Sequence, residues 1–444
     1  MRIGFKMGRV GVGIATAALV ATALPGVVAA QDGEPVAVCE LAYLTGDFSE
    51  LGPTLSNDVN VPAENVINLD PPLGRPWEVY HEDLVGGTEE AQAYRRCVDQ
   101  HGAEVVVSIA HGYRTYRDQF LESVAENDGP VSPSVHGGSI PSNLGGTPDE
   151  PIFRAQGSDE GLGHGAVVKA AELGAEDVVI FATEIEGFQL ASNGAEQALP
   201  AENIELLARL NVPPGESSYR TSAQTIADLD PDAVIVQGDA NDVAILIKGA
   251  LEAGYTGNWI GETGMSLPEF IETLGTEPIA ANDSIGFVAF GANKNTPAWD
   301  FYSTMWTEAN ADNPEDWQDP DNPYHFSAYD ILVQTALAAE MAGTYAASEW
   351  APAMREVVSA PGEVCYTYAD CLALIRDGQD IDYEGVTGSG DFTEHGFNSV
   401  NATYTQYNED GSVSDPEPLP TEALLALVPT LTQAECDENN VCEW

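Results

Sequence analysis

Residues 232–264 read DAVIVQGDANDVAILIKGALEAGYTGNWIGETG, and their reading decides the fold class. Asp232 to Gln237 is a short, β-branched apolar run, the pattern of a strand buried on both faces. Asp242 to Ala253 is rich in Ala, Leu and Ile and predicts a helix. Asn258 to Gly261 predicts a second short strand. Strand, helix and strand in about thirty residues make a parallel βαβ unit.

The same rhythm continues outward. Val36 to Tyr43, Trp77 to His81, Glu104 to Ala110 (EVVVSIA) and Asp177 to Ala182 (DVVIFA) predict strands. A further short strand begins at Val131. Helices are predicted from Thr88, a suitable N-cap, to Asp99, and over Tyr116–Glu126, Gly163–Leu173, Gln189–Ala198 and Leu267–Leu274. Glu89 and Glu90 suit the positive end of the first of these. The class is α/β, with parallel sheets covered by helices on both faces. A Gly/Pro/Ser-rich segment, Ser132 to Pro151, separates two such stretches. Beyond them, Ser284–Phe290 reads as extended and Pro297–Ala309 as a helix. Ser327–Ala342 reads as an amphipathic helix with Tyr329, Leu332, Val333, Ala336 and Leu337 on one face, and Tyr383–Tyr407 as short strands and turns.

The chain has 444 residues, 71 acidic against 16 basic side chains, and a formal net charge of −55. That length suits two or more domains rather than one core. The charge repels nucleic acid and anionic membrane surfaces, so neither is an expected partner. An acid-rich, lysine-poor surface suits a saline habitat, where self-repulsion is screened.

Arg2, Lys6 and Arg9, the uncharged run Val10–Leu24 and the small residues Val28-Ala29-Ala30 have the form of a secretory signal, with cleavage expected after Ala30. The apolar run is shorter than the roughly 20 residues a spanning helix needs. Export across the cytoplasmic membrane, to the periplasm or the outside of the envelope, makes the six cysteines candidates for disulfides. Cys365 and Cys371 are local, as are Cys436 and Cys442, which leaves Cys39 with Cys97. A zinc site is the rival reading. It lacks a CxxC pair, and the histidines are scattered, so no metal is expected.

Gly161-x-Gly163-x-x-Ala166, with Glu184 about 20 residues on, fits a dinucleotide fingerprint, and a nicotinamide-dependent oxidoreductase is the alternative function. That fingerprint needs a strand running directly into the first glycine, and Gln156–Glu160 intervene. No GxSxG, HExxH or GxxxxGK[ST] motif occurs, and no cofactor or catalysis is expected.

Five stretches in order resemble the type I periplasmic solute-binding proteins of ATP-driven importers, in their branched-chain amino-acid-binding branch. They are Val38–Pro53, Val105–Gly112 followed by Pro130–Pro133, Ile152–Asp159 (IFRAQGSD), Ala328-Tyr329-Asp330 with the helix to Gly343, and Gly385–Gly396. The resemblance implies two doubly wound, Rossmann-like lobes joined by three crossing strands. Lobe one would span 35–152 and 287–362, and lobe two 153–286 and 363–413. A signal at 1–30 and an acidic tail with a cysteine pair at 414–444 complete the chain. It implies an amino acid, or a related small polar amide or carboxylate, held between the lobes at the carboxyl ends of the strands. Permease and ATPase subunits would be the partners of a monomer. An extracellular sensor domain of the same fold is a further alternative.

Carried onto this chain, the resemblance places Phe48, His111, Gly112, Tyr113, Val135 and His136 in lobe one, and Glu186, Asp239, Glu262 and Thr263 in lobe two. The family often carries Ser or Thr where His111-Gly112-Tyr113 stands, and tyrosines where Glu186 and Asp239 stand. Glu262, directly after a strand, is the first candidate to pair with a solute ammonium, and Asp239 the second. His111 and His136 could donate to a carboxylate, and Tyr113 could stack on an apolar solute.

With −55 formal charges, like-charge repulsion should weaken the fold at low ionic strength. The Debye length falls from about 30 Å at 0.01 M to about 3 Å at 1 M salt. The melting temperature should therefore rise across that range of sodium chloride; a flat or falling curve would contradict the charge argument.

Overall fold

The computed structural model describes residues 33–424 apart from 47–48, 50–51, 86–88, 109–111, 136–139, 142, 399–401 and 421–422. The expected signal segment, Phe48, His111, His136, and Cys436 and Cys442, whose pairing was expected, lie outside the described residues.

The first half of the chain builds β1 (Val36–Ala42), α1 (Gly52–Asn65), β2 (Trp77–Asp83), α2 (Glu90–Asp99), β3 (Val105–Val107), α3 (Tyr113–Asn127), β4 (Ser132–Ser134) and β5 (Ile152–Arg154). β1 pairs in parallel with both β2 and β3, and β4 pairs in parallel with β5. Bridges Val105–Val131 and Ser108–Ser134 join the two pairs. Next come α4 (Asp159–Glu172), β6 (Asp177–Thr183), α5 (Glu186–Glu202), β7 (Glu205–Val212), α6 (Arg220–Leu229), β8 (Ala233–Gln237), α7 (Ala240–Ala253), β9 (Asn258–Gly261), α8 (Pro268–Leu274), α9 (Thr276–Ala281) and β10 (Ser284–Phe290). The remainder is α10 (Pro297–Ala309), α11 (Glu315–Gln318), α12 (Pro323–Ala342), α13 (Ala347–Glu356), β11 (Glu363–Cys365), α14 (Tyr368–Arg376), β12 (Ile381–Gly385), β13 (Gly388–Ser389), β14 (Ala402–Gln406) and β15 (Glu417–Pro418).

The second sheet runs β15-β14-β10-β9-β8-β6-β7, parallel from β10 to β7 and closed by antiparallel β14 and β15. Its central strands explain their own sequence. Val178, Ile180, Ala233 and Ile235 face one core, while Val179, Phe181, Val234 and Val236 face another on the opposite side. A strand covered on both faces has no reason to alternate with polar residues.

The chain passes between the lobes three times. Ala155 belongs to the first core and Leu162 to the second; Phe290 lies in the second and Ala298 in the first; Val386 lies in the first and Ala402 in the second. Three assignments from the sequence are corrected here. Residues 363–386 pack with lobe one, because Cys365, Tyr368, Leu372, Ile381 and Tyr383 are buried in the first core. Residues 287–290 complete a lobe-two strand. Residues 414–424 are not a free tail, since β15 pairs with β14 and Leu419 and Leu424 are buried in the second core.

α12 also departs from the amphipathic reading. Ser327 to Ala339 are all buried, so this is a central helix with no solvent face over that length. Its Asp330 accepts from Tyr383 Oη at 2.8 Å, Val386 N at 3.1 Å, and Thr387 N and Oγ1 at 2.6 and 2.7 Å. Those four bonds satisfy a carboxylate that is wholly buried.

Two disulfides are present among the described residues. Cys39–Cys97 ties β1 to α2 over a separation of 58 residues, and Cys365–Cys371 ties β11 to α14 over 6. Loop entropy predicts about 4 kcal/mol of stabilisation from the first and about 2 kcal/mol from the second. Replacing each pair with alanines should reproduce that order in urea unfolding; equal losses would show that local strain or packing, not loop closure, governs them.

Candidate functional site

Gly112 closes the loop after β3 in the left-handed region, φ +81°, and caps α3. Any Cβ there would collide with the Glu90 carboxyl group, which therefore sits at the start of α3. Arg114 and Thr115 follow on the first turn. Across from them the β6–α5 connection presents Glu184, Glu186 and Gln189, and β7 presents Asn211. Together these residues line a cavity of about 580 Å³ between lobe-one and lobe-two elements. Arg114 Nη1 and Glu186 Oε1 are 4.0 Å apart across it. Burial raises the Glu186 carboxyl above its usual range, and the Arg114 charge opposes that shift. Gln189 is held in place, donating to the Thr183 carbonyl at 2.8 Å and accepting from Arg209 at 2.9 Å.

Glu262 follows β9 in extended conformation and accepts from Gly264 N at 2.9 Å. It is 8% exposed. Burial, reinforced by the Asp239 charge, pushes its carboxyl up to about 7, against the opposing backbone bonds from Gly264 and Thr263. No Lys or Arg pairs with it among the described residues. Asp239 caps α7 without bonding its backbone. Desolvation and then the Asp242 charge raise its carboxyl. Asp242 itself is buried and accepts from Gly215 N at 3.1 Å. Tyr324, on the first turn of α12, faces this wall. Desolvation, then the charges of Glu262 and Asp159, push its hydroxyl up to about 12, although 41% of the residue is exposed.

The structure thus brings Glu186 and Gly112 to one cavity, and sets Glu262, Thr263 and Asp239 together at the ends of β9 and β8. Two expectations are corrected. Tyr113 is buried in the first core, edge-on to Tyr116 and Phe120, with its hydroxyl donating to Glu150 at 2.6 Å, so it is not free to stack on a solute. The Val135 side chain is likewise core, and its N–H donates to the Ser108 carbonyl at 2.9 Å. Sequence reading missed Arg114, Gln189, Asn211 and Tyr324. Tyr324 had a usable signal: Asn322-Pro323 is a helix start, which places the next residue on the first turn.

The glycine fingerprint has a packing explanation. Gly161 and Gly163 lie inside α4, not in a strand-to-helix turn. A Cβ on Gly163 would collide with the backbone of Ala191 and Ala195, and one on Gly194 with that of Glu160. These glycines let α4 and α5 approach backbone to backbone, which removes the ground for a dinucleotide site there.

The fold recurs in solved structures. A leucine-binding protein from Thermotoga maritima is 18% identical, with 86% of this chain and 97% of that one aligned at a TM-score of 0.64. A branched-chain amino acid transporter substrate-binding protein from Streptococcus pneumoniae, in complex with isoleucine, is 17% identical over 86% and 99% of the two chains, TM-score 0.60. A solute-binding protein from R. palustris, in complex with benzoate, is 14% identical over 87% and 96%, TM-score 0.60. No curated protein matches the chain. The periplasmic binding protein family profile matches residues 35–364, the stretch that builds most of both lobes and two of the three crossings, and the chain belongs to that family.

Proposed function

We propose that the protein is the extracytoplasmic substrate-binding component of an ATP-driven importer, capturing an amino acid or a related small polar amide or carboxylate between its lobes. It works as a monomer, carries out no chemistry and delivers the solute to membrane permease and ATPase subunits. The observation that carries this reading is Glu262: a carboxyl group buried at a strand end beside Asp239, with no Lys or Arg paired to it among the described residues. Such a group is costly in the empty protein and is rewarded when a cation arrives. Solved structures of the same fold were obtained with isoleucine and with benzoate, so the fold accommodates solutes of this size. Arg114 is the basic group at the cavity and supports a carboxylate on the lobe-one side.

A thermal-shift screen of metabolites on the mature protein tests the reading. Amino acids, amides and organic acids should raise the melting temperature; stabilisation by NADH alone would revive the oxidoreductase alternative.

Glu262→Gln and Asp239→Asn should each weaken binding of an amino-bearing solute. Removing one partner of a buried charge pair costs about 2–5 kcal/mol, or roughly 30-fold to several thousand-fold in Kd. Binding of both variants within threefold of wild type, by calorimetry, would rule out the acid–ammonium contact.

The raised Glu262 carboxyl sets a pH dependence. The native state holds a proton that the unfolded chain loses near the ordinary value of 4.5. This group therefore makes stability fall as pH rises between about 4.5 and 7. Binding of a cation needs the ionised form, so affinity should tighten roughly tenfold or more between pH 5.5 and 8. Glu262→Gln should abolish that slope; an unchanged slope in the variant would assign it to another group.

A further inference from the structure

Gln237 ends the run Ala233–Gln237 at the carboxyl end of β8 and is fully buried. Neither its amide oxygen nor its amide nitrogen has a partner among the described residues. The same holds for Thr183 Oγ1, at the end of neighbouring β6, and for Ser158 Oγ, which begins α4. Ser158 stands at that same end of the sheet, since its neighbour Gly157 abuts the ring of Phe290, the last residue of β10. Thr183 lies against Gly238, 3.3 Å from the position its Cβ would take. Buried polar atoms are almost always hydrogen-bonded, and each exception calls for an explanation. Thr183 follows Phe181 and faces one core, whereas Gln237 follows Ile235 and faces the opposite one, so the Gln237 amide calls for an explanation of its own.

β8 and β9 pair with Ile235 opposite Ile260, and continuing that register sets Gln237 opposite Glu262. Ile235 and Ile260 pack in the same core, so the two polar side chains share one face of the sheet. A carboxylate there suits an ammonium group. A side-chain amide, presenting a donor and an acceptor in one plane, is matched by a second amide.

We propose that the cleft selects a small amino-bearing solute whose other end is a primary amide, with Gln237 pairing that amide. This rests on the solute-binding reading above and names its substrate class. An aliphatic solute of equal size would leave both polar atoms of the Gln237 amide unpaired on binding, which is the strongest form of discrimination open to a protein site.

Calorimetry on the full mature chain with L-asparagine, L-glutamine, L-leucine and L-norleucine tests it. One of the two amides should bind at least about tenfold tighter than either aliphatic. Gln237→Leu should bring amide and aliphatic to within about threefold, while the ligand-free melting temperature stays level or rises, because an unpaired buried amide has been removed. Gln237→Met gives the same comparison if the leucine variant fails to fold. Aliphatic binding as tight as amide binding, or an amide preference that survives in the variants, overturns the proposal and leaves the solute-binding reading standing. Failure of all four solutes to bind overturns this substrate class, while the metabolite screen decides the broader reading independently.

Discussion

The first and third crossings are stitched to each other, and both sheets take their positions from that seam. Arg154 N donates to the Gly396 carbonyl at 2.8 Å, and Asn398 N donates back to the Arg154 carbonyl at 3.3 Å. The Arg154 side chain is fully buried, lies over the Phe397 ring at 5.0 Å and donates to the Ile140 carbonyl. Desolvation lowers its guanidinium to about 10, with the Glu160 and Asp159 charges opposing the shift. Arg355 reinforces the seam by donating to the carbonyls of Thr393, Glu394 and Gly146 at 2.6, 2.6 and 2.7 Å. A buried cation is costly unless its surroundings are fixed. These two arginines therefore demand the arrangement that holds the strand ends of the two lobes facing one another.

From that seam follows the electrostatic character of the cleft. The helices that begin beside it carry their own acids: Asp159 and Glu160 on α4, Glu186 on α5 and Asp242 on α7. Glu90 lies at the start of α3. Negative groups at these positive helix ends are locally favourable, but they also occupy the backbone sites that would otherwise take an anion. Glu262 and Asp239 have no Lys or Arg partner among the described residues, which is why the proposed reading gives them to the solute.

The fold was legible wherever hydrophobic continuity reported burial on both sides, as in EVVVSIA, DVVIFA and DAVIVQ. It was illegible where tertiary contacts overrode local preference. α1, reading GPTLSNDVNVPAEN, forms despite an internal proline and was not foreseen. β7, reading ELLARLNV, is built of helix formers yet becomes a strand because β6 offers a parallel edge. The site was half legible. Strand ends could be located from the pattern, so Glu262 and Asp239 could be placed at them. Which strand-end side chains turn inward depends on neighbouring packing, so Tyr113 and Val135 were indistinguishable from contact residues, and Gln237 from the end of a buried run.

Net charge and specificity belong to different length scales in this molecule. A surface at −55 draws cations of every kind toward the protein, but salt confines that attraction to within about 8 Å at physiological ionic strength. It cannot separate one amino-bearing solute from another, since all of them carry the same charge. Discrimination must come from groups out of reach of solvent, where an unmade hydrogen bond keeps its full cost. Gln237 is wholly buried, so on the proposed reading the side chain that would tell amino-bearing solutes apart lies beyond the field that gathers them.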